Sequence, residues 1–246
     1  MKRFMAALFT AAFCLGALAG CGDSGSKTLV VGTNAEFPPF EYVGENGEPD
    51  GFDVALIKAI GEKLGREVQV EDMAFDSLVA AVGTKIDVAI AGMTVDEERK
   101  LSVDFTDNYY EALQYVIVPK DSEIATMADL ENKIIGVQMG TTGMYTAEDI
   151  AGTTVQNYNK AVDAVNDLMN GRVEAVIIDK NPAMVFAEKF SDKVKALDGA
   201  LFDFEMEYYA IACPKGSSLV ADINKALAEL KADGTFDALV AQYIGE

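Results

Sequence analysis

Two rhythms of apolar and polar residues alternate along this chain. Short β-branched runs stand between longer stretches in which apolar residues recur every three or four positions. Thr28-Leu29-Val30-Val31-Gly32 is the first short run and reads as a buried strand. Residues 51–64 follow as a helix, with Leu56, Ile57, Ile60 and Leu64 on one face and Gly65 as its stop. Glu67-Val68-Gln69-Val70 is a second strand, residues 75–82 a short helix, and residues 86–91 a third strand. Strands and helices alternating over short connections predict βαβ units and a mainly parallel sheet.

The rhythm then repeats. Strands are predicted at 133–138, 154–156 and 173–178, with helices at 144–150, 160–169 and 182–190, the last with Pro182 in its first turn. Two helices close the chain. Leu219, Ile223, Leu227 and Leu230 stripe the first, Phe236, Leu239, Val240 and Tyr243 the second, and Asp233-Gly234-Thr235 breaks them. Tyr115-Val116-Ile117-Val118-Pro119-Lys120 echoes Tyr209-Ala210-Ile211-Ala212-Cys213-Pro214-Lys215. Both are apolar strands stopped by Pro-Lys, because proline cannot continue a sheet ladder. They bracket the second set of units. One reading is a chain that leaves one lobe near Tyr110, builds a second, and returns near Tyr208; the other is two unrelated strands with similar ends.

The N-terminus follows neither rhythm. Lys2 and Arg3 precede a nearly continuous apolar run over residues 4–16, and Leu18-Ala19-Gly20-Cys21 comes next. A charged start, a short apolar stretch and small residues before a cleavage point make an export signal, too short for a good transmembrane helix. Residues 22–26, Gly-Asp-Ser-Gly-Ser, read as a flexible tether. Leu-Ala-Gly-Cys resembles the bacterial lipobox. That resemblance implies cleavage after residue 20, lipid on the sulfur of Cys21, and a membrane-attached protein on the outer face of the cytoplasmic membrane. Cys14 would leave with the signal and Cys21 would take lipid, so Cys213 would be left without a disulfide partner.

Composition narrows the chemistry. Forty acidic residues against twenty basic ones give a net charge of -20 over 246 residues, and loss of residues 1–20 with Lys2 and Arg3 would leave -22. Such a chain repels nucleic-acid phosphates, and it has no cluster of Lys or Arg. The chain contains no histidine, which removes the Ser-His-Asp and Cys-His nucleophiles and the commonest ligand of zinc and iron. Carboxylate and lysine chemistry survive. The balance leans toward a binding protein with no cofactor and no metal.

Four segments at strand ends carry candidate binding chemistry. Ala91-Gly92-Met93-Thr94-Val95-Asp96-Glu97-Glu98-Arg99 follows a strand directly. Thr94 and Glu97 have capping-box spacing, which predicts a helix from about Val95. Free backbone N–H groups there can hold an anion, Gly92 permits close approach, and Arg99 can fork onto a carboxylate. An ordinary capped helix with a surface ion pair fits the same residues. Gln138-Met139-Gly140-Thr141-Thr142-Gly143 offers hydroxyls and N–H groups for a carboxylate or phosphate, or is a plain αβ turn; it lacks the Gly-Lys-Ser/Thr of a P-loop. Asp179 ends an apolar strand, where it would either meet a ligand cation in the crevice or cap the next helix. Asn34-Ala35-Glu36-Phe37-Pro38-Pro39-Phe40-Glu41-Tyr42 is a proline-stiffened loop with Phe37 as a wall, Phe75 as a possible second wall, and Phe40 expected in the core. An anion clamp, a cation partner and aromatic walls are together what a free α-amino acid needs.

These segments, taken in order with Gly51-Phe52-Asp53-Val54, Phe75-Asp76-Ser77-Leu78, Asp104-Phe105-Thr106, Tyr109-Tyr110 and Gly140-Thr141-Thr142, resemble the extracytoplasmic solute-binding proteins of polar amino-acid ABC importers. The resemblance runs from about Lys27 to Gly245. It implies a two-lobed α/β periplasmic-binding-protein fold (type II), with lobe one over roughly 28–110 plus 208–246 and lobe two over 111–207. It implies that Arg99 grips the ligand carboxylate with the Thr94 and Thr142 N–H groups, and that the Gly92 carbonyl and Asp179 hold the ammonium. Phe37 and Phe75 would sandwich the side chain, with Asn34, Glu36, Met93, Gln138 and Thr141 reading its polar end. Partners would be a free amino acid, a membrane permease with its ATPase, and the membrane through Cys21, with the protein a monomer.

Three departures blur the ligand. Asn34 stands where several relatives carry aspartate, Gln138 where the glutamine binder has lysine, and Ile178 where that binder has histidine. Glu36 points instead toward a basic ligand such as arginine. Competing readings are a sensor that shows its closed form to a receptor and a dehydratase-type enzyme on the same fold, for which Glu36 and Asp179 would be the acid-base candidates.

Overall fold

A computed structural model describes residues 28–245. The predicted signal, tether and Cys21 lie outside the described residues. Two mixed sheets form the cores of two lobes. In the first, the strands run in the order Glu67–Asp72, Thr28–Thr33, Val88–Ala89, Ala212–Pro214, Val103–Phe105. Thr28–Thr33 is parallel to both of its neighbours, and Ala212–Pro214 antiparallel to both of its own. In the second, the order is Thr154–Tyr158, Ile134–Gln138, Ala175–Asp179, Tyr110–Pro119, Val194–Leu197. Its first three strands are parallel and Tyr110–Pro119 opposes its neighbours.

The ten-residue strand Tyr110–Pro119 does two jobs. Its second half sits in the second sheet, while Tyr110 to Leu113 pair with the returning strand Met206–Tyr209. Tyr209 also bridges to Thr94 of the first lobe. The two connecting segments therefore run side by side between the lobes. The Pro119 and Pro214 stops recognised in sequence end strands in different sheets.

Helices cover the sheets as the apolar spacing requires. Phe52–Leu64 buries Leu56, Ile57 and Ile60 and ends on Gly65 at φ 65°. Leu219–Ala232 and Thr235–Tyr243 pack against it, and Ala161–Met169 buries Val165 and Leu168 over the second sheet. Phe40 is fully buried, in edge contact with Phe52, Tyr110 and Tyr209.

Two local expectations differ from the structure. The segment at 75–82 is a 3₁₀ turn over Phe75–Ser77 followed by one helical turn, Leu78–Ala81. The helix expected from Val95 spans only Arg99–Ser102. Thr94 lies too far from this helix to cap it and its hydroxyl donates to Glu207 at 2.7 Å, while Asp96 Oδ1 accepts the Arg99 N–H at 2.7 Å.

Candidate functional site

Strand ends of both lobes converge on one small, largely enclosed cavity, lined by Asn34, Phe37, Phe75, Ala91, Gly92, Thr94, Arg99, Gln138, Thr141, Thr142 and Asp179. These residues lie far apart in sequence. They meet because the segments that carry them leave neighbouring strands at the edges where the two lobes face. Of the expected site residues, Glu36 and Met93 are not among the lining. Met93 lies between Gly92 and Thr94 and is directed the opposite way, into the core around Leu78 and Ala81. Its side chain is fully buried, which corrects the expectation that it reads the ligand. Glu36 sits at the rim, paired with Lys160.

Arg99 is buried and held at three points. Nη1 donates to the Thr94 carbonyl at 2.6 Å, Nη2 to the Gly140 carbonyl at 2.9 Å, and Nε lies 3.1 Å from Asp96. The Phe75 ring packs against the guanidinium, 5.4 Å from its carbon. Each terminal nitrogen carries a second N–H beyond those bonds, and these suit a carboxylate. The contact with Gly140 crosses from one lobe to the other. Gly140 has φ 76°, and a Cβ there would lie 2.9 Å from Asp76 Cβ, so only glycine lets the lobes meet at this point.

Thr141 N-caps the helix Thr142–Asp149, accepting the Met144 N–H and donating to the Gln138 carbonyl. The first N–H groups of that helix have no intrahelical acceptor and favour an anion. The Thr94 and Thr142 hydroxyls face elsewhere. Both donate to Glu207 Oε2, at 2.7 and 2.8 Å. What these two threonines can offer an anion is therefore backbone N–H.

Asp179 occupies the N-cap position of the next helix without a side-chain capping bond. Its Oδ1 is buried and has no hydrogen-bond partner. Burial pushes its carboxyl up to about 7; the nearby Glu207 charge adds to this, while Tyr209 and Gln114 pull the other way. An orphaned carboxylate oxygen in a cavity is costly, and an ammonium would relieve it. Gly92 is held close by. Its N–H donates to Asp53 at 2.7 Å, and Asp53 also accepts the Tyr109 hydroxyl at 2.7 Å. Burial raises Asp53 to about 6 and pushes its neighbour Glu41 well above the usual carboxylate range. Gly92 has φ 51°, and a Cβ would come within 2.9 Å of the Phe37 ring.

At the far end, Gln138 Nε2 donates across the cleft to Asn34 Oδ1 at 2.8 Å. Glu207, Gln114 and Asp53 bond to the residues of the cavity and were not among the candidates read from sequence. Asp53 lay within a recognised motif without an assigned role. Glu207 and Gln114 had no local signal.

The fold and the site together define a two-lobed clamp around a small polar cavity. The family model for bacterial extracellular solute-binding proteins, family 3, matches residues 29–246. The arginine-binding extracellular protein ArtP of Bacillus subtilis (strain 168) is 36% identical over 97% of this chain and 96% of its own. A solved structure of an ancestral arginine-binding protein bound to arginine superposes with a TM-score of 0.83 at 41% identity, over 88% of this chain and 98% of that one. An ancestral arginine-binding protein bound to glutamine gives 0.85 at 42%, over 90% and 100%. The chain belongs to the bacterial extracellular solute-binding proteins, family 3.

Proposed function

We propose that this protein captures a free polar L-amino acid outside the cytoplasm and delivers it to an ABC permease driven by its ATPase. The observation that carries this reading is the shared cavity. It joins Arg99, with an N–H to spare on each terminal nitrogen, to Asp179, with an orphaned oxygen. The ligand carboxylate meets Arg99 and the N–H groups of Thr94 and Thr142, and its ammonium meets Asp179 and the Gly92 carbonyl. Phe37 and Phe75 flank the side chain. Asn34, Gln138 and Thr141 face its end, with Glu36 at the rim. Relatives that bind arginine or glutamine support a polar ligand, and Glu36 favours a basic one.

Closure is the working step. Strands Tyr110–Pro119 and Met206–Tyr209 are the hinge, dividing the chain near 110 and 208. A ligand bound to one lobe gains contacts with the other, and it favours the closed form only as far as those contacts add affinity. No catalytic step is assigned to the site. Export through residues 1–20 and lipid on Cys21 keep the monomer beside its permease; one modified residue carrying more than one chain anchors better than a single acyl chain. Titration with amino acids tests the reading, because a site of this design binds at least one of them tightly.

A further inference from the structure

Lys160 is an unusual residue for its position. It is the N-cap of the helix Ala161–Met169, a site that favours Ser, Thr, Asp or Asn, and it makes no capping bond. A cation there also opposes the helix dipole. Helix stability does not account for it. Its ammonium instead reaches across the cleft and donates to Glu36 Oε1, joining the two rims of the cavity.

Glu36 completes the case. Its Oε1 takes Lys160, while its Oε2 is buried and has no hydrogen-bond partner. Beside it, Gln138 spans the cleft to Asn34 and also faces the carbonyl of Asn159, the residue before Lys160. Asp72 and Asp163 add negative charge around the ammonium. The side-chain end of the cavity is therefore rimmed by carboxylates that one protein cation already engages.

We propose that Lys160 is a specificity-determining residue, an internal cation that closes the cleft on neutral ligands and competes with cationic ones for Glu36. This rests on the amino-acid reading of the site. A neutral side chain leaves the Lys160–Glu36 pair intact, so closure over it keeps that cross-lobe contact. A guanidinium or ammonium end must share Glu36 with Lys160, taking Oε2 or displacing the lysine. Lys160 thus narrows the preference for basic ligands that Glu36 alone would give.

The test compares arginine with glutamine, two ligands of similar length and different charge, by calorimetric titration of wild type and Lys160→Met. Lys160 is more than half exposed, so the fold should survive, and melting of the ligand-free proteins checks this. The inference predicts that Lys160→Met binds glutamine about fivefold more weakly and arginine equally or more tightly, the size expected of a partly exposed ion pair. Lys160→Arg keeps the cation and returns the wild-type ratio. An arginine-to-glutamine ratio unchanged in Lys160→Met, or weaker arginine binding, overturns the inference while the amino-acid reading stands. A wild type that binds neither ligand overturns the inference, and silence to every other amino acid as well overturns the reading beneath it.

Discussion

Asp179→Asn should make the empty protein more stable and the ligand bind far worse. In the closed cleft, burial and Glu207 raise Asp179 from 3.8 to about 7. A carboxyl that binds its proton more tightly in the folded than in the unfolded chain stabilises the fold at low pH. That contribution is lost as pH rises from the unfolded value through the folded one, here between about 4 and 7. At pH 8 the charged carboxylate, its Oδ1 without a partner, is a burden on the order of a few kcal/mol at about 1.36 kcal/mol per pH unit. Opening of the empty cleft hydrates the group and relieves part of it. Asparagine keeps the shape and removes the charge. At about 2–4 °C per kcal/mol for a chain of this size, the ligand-free variant should melt at least about 2 °C above wild type at pH 8. The difference should shrink to well under about 1 kcal/mol by pH 4, close to the unfolded value of 3.8, and vanish only below it, where Asp179 is protonated in both states. Removing one partner of a buried ion pair costs about 3–5 kcal/mol, so amino-acid affinity should fall at least about 100-fold. Differential scanning fluorimetry at pH 8 and 4, with calorimetric titration at pH 8, reads both effects. Wild-type affinity, or a variant less stable than wild type at pH 8, would refute the assignment of Asp179 as the ammonium partner.

Two further outcomes are expected. Gly140→Ala adds a Cβ at positive φ where the lobes meet at Asp76; it should cost about 1–2 kcal/mol of stability in thermal melts and weaken ligand binding about tenfold or more, and unchanged binding would mean that closure does not bring Gly140 to Asp76. Cys21→Ser should move the protein from the membrane to the soluble fraction on cell fractionation, and retention in the membrane would sink the lipid anchor.

The parts of the site that were legible in sequence share one property: they stand at strand ends, marked by a change of rhythm. Asp179 and the Gln138–Thr142 segment follow apolar runs directly, Arg99 closes the segment that follows the strand at 86–91, and ligand sites in α/β sheets gather there. Glu207 and Gln114 lie inside strands, and their roles arise from pairing 110–113 with 206–209, a long-range event that no local pattern encodes. Met93 was misplaced because a motif was read as a block, although alternate residues of an extended segment face opposite ways. The small sheet of Glu36–Phe37, Glu41–Val43 and Pro49–Asp50 escaped notice because strands of two or three residues are too short to show a period.

The central claim is that Arg99 and Asp179 make the cavity an amino-acid clamp. Its most direct test is calorimetric titration of the purified protein, unfolded and refolded to strip bound ligand, with each of the twenty L-amino acids, alongside Arg99→Ala. The account predicts tight binding of one or a few polar amino acids, arginine or lysine among them if Glu36 governs the side-chain end, and no measurable binding by Arg99→Ala. Silence from a folded wild type, or near-normal affinity in Arg99→Ala, would contradict it.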